Sequence, residues 1–148
     1  MRWELDDGGR AMAGYRGLAG DCATRAAAIV SGRPYQEIYD RIVELGQHER
    51  LSSRRKARSH PRTGVHMPAM RRLMAELGFA WVPQMGIGTG CTVHLADGEV
   101  PSDRPVVCRL SKHYAAVVDG ILRDTCDCSR DGTRCVYGWW EPVPRKED

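Results

Sequence analysis

The stretch Tyr114-Ala-Ala-Val-Val-Asp-Gly-Ile-Leu-Arg-Asp124 decides the fold. Asp119-Gly120 lies between two apolar-rich runs, and a two-residue type I′ turn needs positive φ at both central positions, where Asp-Gly is a favoured pair. The spacing therefore predicts an antiparallel hairpin with Val118 facing Ile121. Counting back from the turn, Ala116 faces Arg123, Ala115 faces Asp124 and His113 faces Cys126. Strand alternation puts residues 113, 115 and 117 on one face with 122, 124 and 126, so His113 and Asp124 are diagonal neighbours on one side. Such pairs lie about 7–8 Å apart at the backbone, within reach of an imidazole–carboxylate hydrogen bond. Asp124 is the candidate that orients His113, and Asp127 falls on the opposite face.

Further strand-like runs are predicted at residues 79–82, 91–95, 106–110 and 135–140, around hairpin strands at 114–118 and 121–125. The first half of the chain has the helical period instead. Tyr35, Ile38, Tyr39, Ile42 and Val43 recur at i, i+3, i+4, i+7 and i+8 in a helix over 34–45, with Pro34 in its first turn and Gly46 just past its end. Met70, Leu73, Met74 and Leu77 repeat the spacing over 68–77. An earlier helix over 21–30 takes Asp21 as N-cap, runs through an Ala-rich stretch, and stops at Ser31-Gly32 before Pro34. Cys22 falls in its first turn. Helices come first and strands second, which predicts an α+β class with N-terminal helices packed on a C-terminal antiparallel sheet.

At 148 residues the chain is long enough to bury roughly 68–70% of the surface it exposes when unfolded, so one domain over 1–148 is expected. Residues 1–20, glycine-rich and without period, read as an irregular lead-in, and residues 47–65 as a basic loop. No apolar run approaches the roughly 20 residues that span a bilayer, and the N-terminus lacks the apolar block of a signal peptide. A cytoplasmic protein without membrane contact is expected, and its six cysteines (Cys22, Cys91, Cys108, Cys126, Cys128, Cys135) are then expected as free thiols, a metal site or a catalytic thiol rather than a disulfide framework.

The net charge of +3 is too small to mark the whole surface as a polyanion binder. The basicity is local: Arg50, Arg54, Arg55, Lys56, Arg58 and Arg62 fall within residues 50–62 with no acid among them. That segment has no aromatic residue to stack on a base, which favours weak nucleic-acid contact, or steering of an acidic partner, over a dedicated nucleic-acid site.

Cys22 at a helix N-terminus, opposite a His oriented by an Asp, is the arrangement thiol catalysis needs. A free thiol has a pKa near 8.5; a helix N-terminus and a neighbouring imidazolium bring it down, so that the nucleophile is held as thiolate. His113 would act as base and then as acid toward the leaving group, and Asp124 would fix its tautomer. No cofactor or metal is required, and the partner is a peptide or protein substrate.

The order of a helix-borne Cys, further helices, then a sheet bearing His and Asp resembles the papain-like cysteine peptidase superfamily. Gly20-Asp21-Cys22-Ala-Thr-Arg25-Ala26 is similar to the cysteine motif of ovarian-tumour-type deubiquitinases, and His113-Tyr114 to their histidine motif. The His-to-Asp hairpin looks more like bacteriocin-processing peptidases and transglutaminase-like proteins. Over roughly residues 18–140 the chain also resembles uncharacterised phage and bacterial proteins with a Gly-Asp-Cys helix and an Asp-Gly hairpin ending Asp-Thr-x-Asp. The resemblance implies a papain-like fold and a Cys22–His113–Asp124 triad acting on a peptide or isopeptide bond. The Gln that papain-like enzymes often carry about six residues before the cysteine is Arg16 here.

Other readings accompany this one. Cys22, Ala26, Ile29 and Val30 form an apolar stripe, so Cys22 also reads as a small buried hydrophobe in an inactive, binding-only relative. Cys126, Cys128 and Cys135 would suit a zinc module, with Cys126 opposite His113, although Cys-x-Cys is tighter than usual ligand spacing. A small nucleic-acid-binding module built on residues 50–62 is the remaining alternative.

Overall fold

Asp119 and Gly120 both have positive φ (54° and 73°), and the hairpin they close pairs Val118 with Ile121, Val117 with Leu122 and Ala116 with Arg123. A computed structural model describes residues 1–17, 19–86 and 88–144. Leu18, in the expected lead-in, and residues 145–148, at the end of the expected domain, lie outside them. In chain order the elements are β1 (Trp3–Leu5), α1 (Cys22–Ser31), α2 (Tyr35–Gln47), α3 (Met67–Glu76), β2 (Phe79–Pro83), β3 (Val106–Leu110), β4 (His113–Val118), β5 (Ile121–Asp124) and β6 (Gly138–Pro142). The class is mixed α and β, with three helices and a six-stranded sheet of order β1-β5-β4-β3-β6-β2.

Both faces of the central strands are covered, which is why Val106-Val-Cys-Arg-Leu110 reads as an almost continuous apolar run. Val107, Ala116 and Trp140 face a core built with the three helices, whereas Val106, Cys108, Leu110, Ala115, Val117 and Leu122 face a second core under Leu95, Val100 and Val136. The Ala-rich face of α1 lets that helix lie close against β4, its buried Ala23, Ala26, Ala27 and Ala28 filling little space. Gly32 ends α1 in the left-handed region, its N–H bonded to the Ala28 carbonyl, as the sequence stop signal predicts.

Several expectations are corrected. The sheet is not purely antiparallel, because β1 adds a parallel edge strand to β5, so residues 1–20 are not wholly irregular. Three residues with Trp3 and Leu5 exposed carry no apolar period; their pairing rests on backbone hydrogen bonds, which leave no trace in composition. Residues 91–95 form no strand and contribute an isolated bridge between His94 and Cys135, and the last strand starts at Gly138 rather than at 135. Cys91 and Cys135 are joined as a disulfide with Cα atoms 5.9 Å apart, so the six thiols are not all free.

Gly46 is not a terminator. It lies inside α2, where an added Cβ would come within 2.2 Å of the Ser59 carbonyl oxygen, so its missing side chain lets the basic loop press against the helix. That loop begins after Gln47 and is anchored rather than merely solvated. Glu49 accepts from the Ser59 hydroxyl (2.7 Å), and the Thr24 hydroxyl donates to the Pro61 carbonyl (2.8 Å). These bonds hold residues 57–66 beside the N-terminus of α1. No helix among the described residues is long and apolar enough to cross a membrane.

Candidate active site

Cys22 opens α1, His113 opens β4 and Asp124 closes β5, so three element ends meet at one end of the sheet. The diagonal pair deduced from the hairpin is formed: His113 Nε2 lies 2.7 Å from Asp124 Oδ2. β1 holds the strand end that carries this carboxylate, since Trp3 Nε1 and the Asp6 N–H both donate to the Asp124 carbonyl (3.1 Å each). With Nε2 taken by Asp124, Nδ1 is the ring nitrogen left for proton exchange with a reacting group.

The Cys22 thiol responds to this neighbourhood. Burial alone would raise its pKa, but the hydrogen bond and charge of His113, the Tyr114 backbone N–H and the charge of Arg25 outweigh it, so the thiol is lowered below its ordinary value. Burial likewise works against the His113 cation, yet Asp124 first, then the Cys128 and Cys22 sulfurs, push its pKa up to about 11. Asp124 moves the other way: burial opposes ionisation, and the hydrogen bonds from His113 and Arg25 hold it down at about 2.

Arg25 is the residue of this network that sequence reasoning passes over. It is buried at 6% exposure and forks between two carboxylates, with Nε on Asp21 Oδ1 (2.9 Å) and Nη1 on Asp124 Oδ1 (2.5 Å). The signal was present, since Arg25 stands at i+3 from Cys22 on an otherwise Ala-rich helix and so shares its face.

Asp21 does not cap α1, contrary to expectation. Its fully buried carboxylate takes Arg10 Nη1 (3.1 Å), Arg25 Nε (2.9 Å) and the Tyr35 hydroxyl (2.8 Å), and makes no capping bond. The first-turn N–H groups of α1, which have no intrahelical acceptor, are therefore left uncapped by it beside Cys22. Two arginines on Asp21 offset the negative charge next to the thiol.

The zinc trio does not assemble, because Cys135 is bonded to Cys91 and Cys126 is exposed, while β5 ends before Cys126 comes opposite His113. Cys128 alone reaches the site. His113, Asp124 and Cys128 offer ligand atoms within 4.8 Å of one another. The donor set fits a cation poorly, since Asp124 Oδ1 is taken by Arg25 and the Thr125 N–H, Oδ2 by His113, and the Arg25 guanidinium stands against the same carboxylate. Burial comes first in raising the Cys128 pKa, so it backs His113 as a neutral thiol.

These shifts give fold stability a definite pH dependence. His113, raised from 6.5 to about 11, contributes stability that is complete below about pH 6.5 and is lost as pH climbs through 11. Asp124, lowered from 3.8 to about 2, contributes stability that is complete above about pH 4 and is lost as pH falls through 2. The pair stabilises most between about pH 4 and 6.5. In Cys22→Ala, where the thiol no longer titrates, unfolding free energy is expected to decline as pH rises above about 6.5, and His113→Gln in that background to flatten the decline. Urea titrations at a series of pH values measure both slopes.

No protein-family model, curated protein or solved structure matches the chain.

Proposed function

We propose that the protein is a papain-like cysteine hydrolase or acyl transferase acting on an amide bond, with Cys22 as nucleophile, His113 as acid and base, and Asp124 as the group that orients His113. The observation that carries the reading is His113 held by Asp124 at 2.7 Å at the end of the sheet, in the same cleft as Cys22 at the N-terminus of α1. The element order supports the papain-like assignment: a Cys-bearing helix, two further helices, then the strands that bear His and Asp.

In the reaction, the Cys22 thiolate attacks the amide carbonyl carbon and the π electrons move to oxygen. The uncapped N–H groups at the start of α1 meet that oxyanion and take the place of a glutamine donor, since position 16 is Arg16, whose carbonyl accepts from Arg62 (2.9 Å). Collapse breaks the C–N bond, and the His113 Nδ1 proton goes to the departing amine, leaving a Cys22 thioester. Water, or an amine in a transfer reaction, then attacks the thioester carbonyl and gives its proton to His113. Cys22 leaves as thiolate and the imidazolium is restored. Asp124 remains ionised throughout.

Iodoacetamide mapping by mass spectrometry tests the reading. Of the free thiols Cys22, Cys108, Cys126 and Cys128, Cys22 is expected to be alkylated fastest at pH 6, ahead of the exposed Cys126. Cys126 reacting first at that pH would contradict it.

A further inference from the structure

The cleft in front of Cys22 has a volume of about 520 Å³, room for a few residues of an extended chain. Its walls carry one sign of charge. Arg58 comes from the anchored loop on one side, Arg109 and Lys112 from the β3–β4 end on the other, and no Asp or Glu lines the space. Among the described residues, none of Arg58, Arg109 and Lys112 is paired with a carboxylate, although ion pairs are plentiful elsewhere on the surface, at Arg33–Glu37 and Arg41–Glu76 for example. Three unneutralised cations around one cleft focus a positive potential where a substrate enters.

Lys112 sharpens the point. It occupies the turn between β3 and β4 with φ 55°, a conformation that L side chains adopt at a cost and glycine at none. The turn geometry favours a glycine, and the chain places an exposed cation there instead.

We propose that this cleft recognises an acidic peptide segment, whose Glu or Asp side chains meet Arg58, Arg109 and Lys112 while the backbone presents its amide to Cys22. The proposal rests on the cysteine-hydrolase reading for the bond that is cut, and adds the class of substrate. A peptide fits better than a nucleic acid because the two tyrosine rings of the cleft are already packed: Tyr114 against Trp140 (centroids 5.9 Å apart) and Tyr137 under Arg109 (5.9 Å). Base stacking needs free rings.

The test compares two peptide vinyl sulfones of equal length, one with glutamates and one with lysines at the flanking positions, on the whole protein. The Cys22 sulfur adds to the vinyl carbon and the adjacent carbanion takes a proton from His113, so the adduct reports binding and thiol reactivity together. Each rate is divided by the iodoacetamide rate of the same chain. The glutamate probe is expected to react about tenfold faster than the lysine probe at low salt, and the gap to close in high salt and in Arg58→Gln/Arg109→Gln/Lys112→Gly. Equal rates, or a faster lysine probe, with Cys22 still labelled by iodoacetamide would overturn the acidic-peptide proposal and leave the thiol reading standing. If iodoacetamide fails to label Cys22, the thiol reading falls. Fluorescence anisotropy of the two peptides, labelled with fluorescein and without the warhead, on Cys22→Ala then decides the cleft alone: tighter glutamate-peptide binding supports it and equal binding overturns it. A single-stranded oligodeoxynucleotide that shields Cys22 better than the glutamate peptide at equal charge would also overturn it.

Discussion

Replacing Arg25 with Met is expected to lower the unfolding free energy by about 3–5 kcal/mol, the range for breaking a buried ion pair from one side. Asp21 and Asp124 are 0% and 1% exposed, and both lose a charged partner in that variant. Asp21 keeps Arg10 and Tyr35, and Asp124 keeps His113, so the loss stays below that of two orphaned charges. Arg25→Lys should lose less stability but not recover the wild-type value, because an ammonium is a point charge and cannot hold both carboxylates with the geometry of the guanidinium fork. Urea unfolding of the three proteins gives the comparison, and a loss under about 1 kcal/mol in Arg25→Met would show that the network is incidental.

The second large effect falls on reactivity. Asp124→Asn keeps the shape of the side chain and removes the anion that raises the His113 pKa, so the imidazolium no longer holds Cys22 as thiolate. At pH 6 an ordinary cysteine is less than about 1% thiolate, and the Cys22 alkylation rate is expected to fall about tenfold or more after allowing for the higher intrinsic nucleophilicity of a more basic thiol. Asp127→Asn should change the rate little. Its carboxylate accepts from the Ser129 N–H (3.0 Å) and hydroxyl (2.7 Å), bracing the turn around Cys128 without a bond to the imidazole. Circular dichroism of both variants separates lost chemistry from lost folding, and a larger effect at Asp127 would assign the wrong carboxylate to His113.

The hairpin was legible because Asp-Gly fixes both turn geometry and register, and register alone carries Asp124 to His113. α2 and α3 were legible from their apolar period and α1 from its Ala-rich stretch and stop signal, to within one or two residues at each end. Arg25 was hidden because periodicity arguments sort residues by hydrophobicity and assign an arginine to solvent, whereas here two carboxylates offset the cost of burying it. Asp21 was misread for a related reason: Asp before a helix is most often a cap, and only the tertiary positions of Arg10, Arg25 and Tyr35 divert its oxygens. The Cys91–Cys135 bridge depends on a Cα separation that sequence spacing does not encode. The parallel strand β1 has neither period nor turn signal, yet it fixes the backbone of Asp124.

The central proposal is that His113, held by Asp124, keeps Cys22 as a thiolate. Ultraviolet thiolate absorbance, titrated against pH in the wild-type protein and in Cys22→Ser, measures it directly, because the difference between the two curves belongs to Cys22. The account predicts a difference signal that persists below pH 7 and vanishes there in His113→Ala; a signal that appears only near pH 8.5, where an unperturbed thiol ionises, would contradict it.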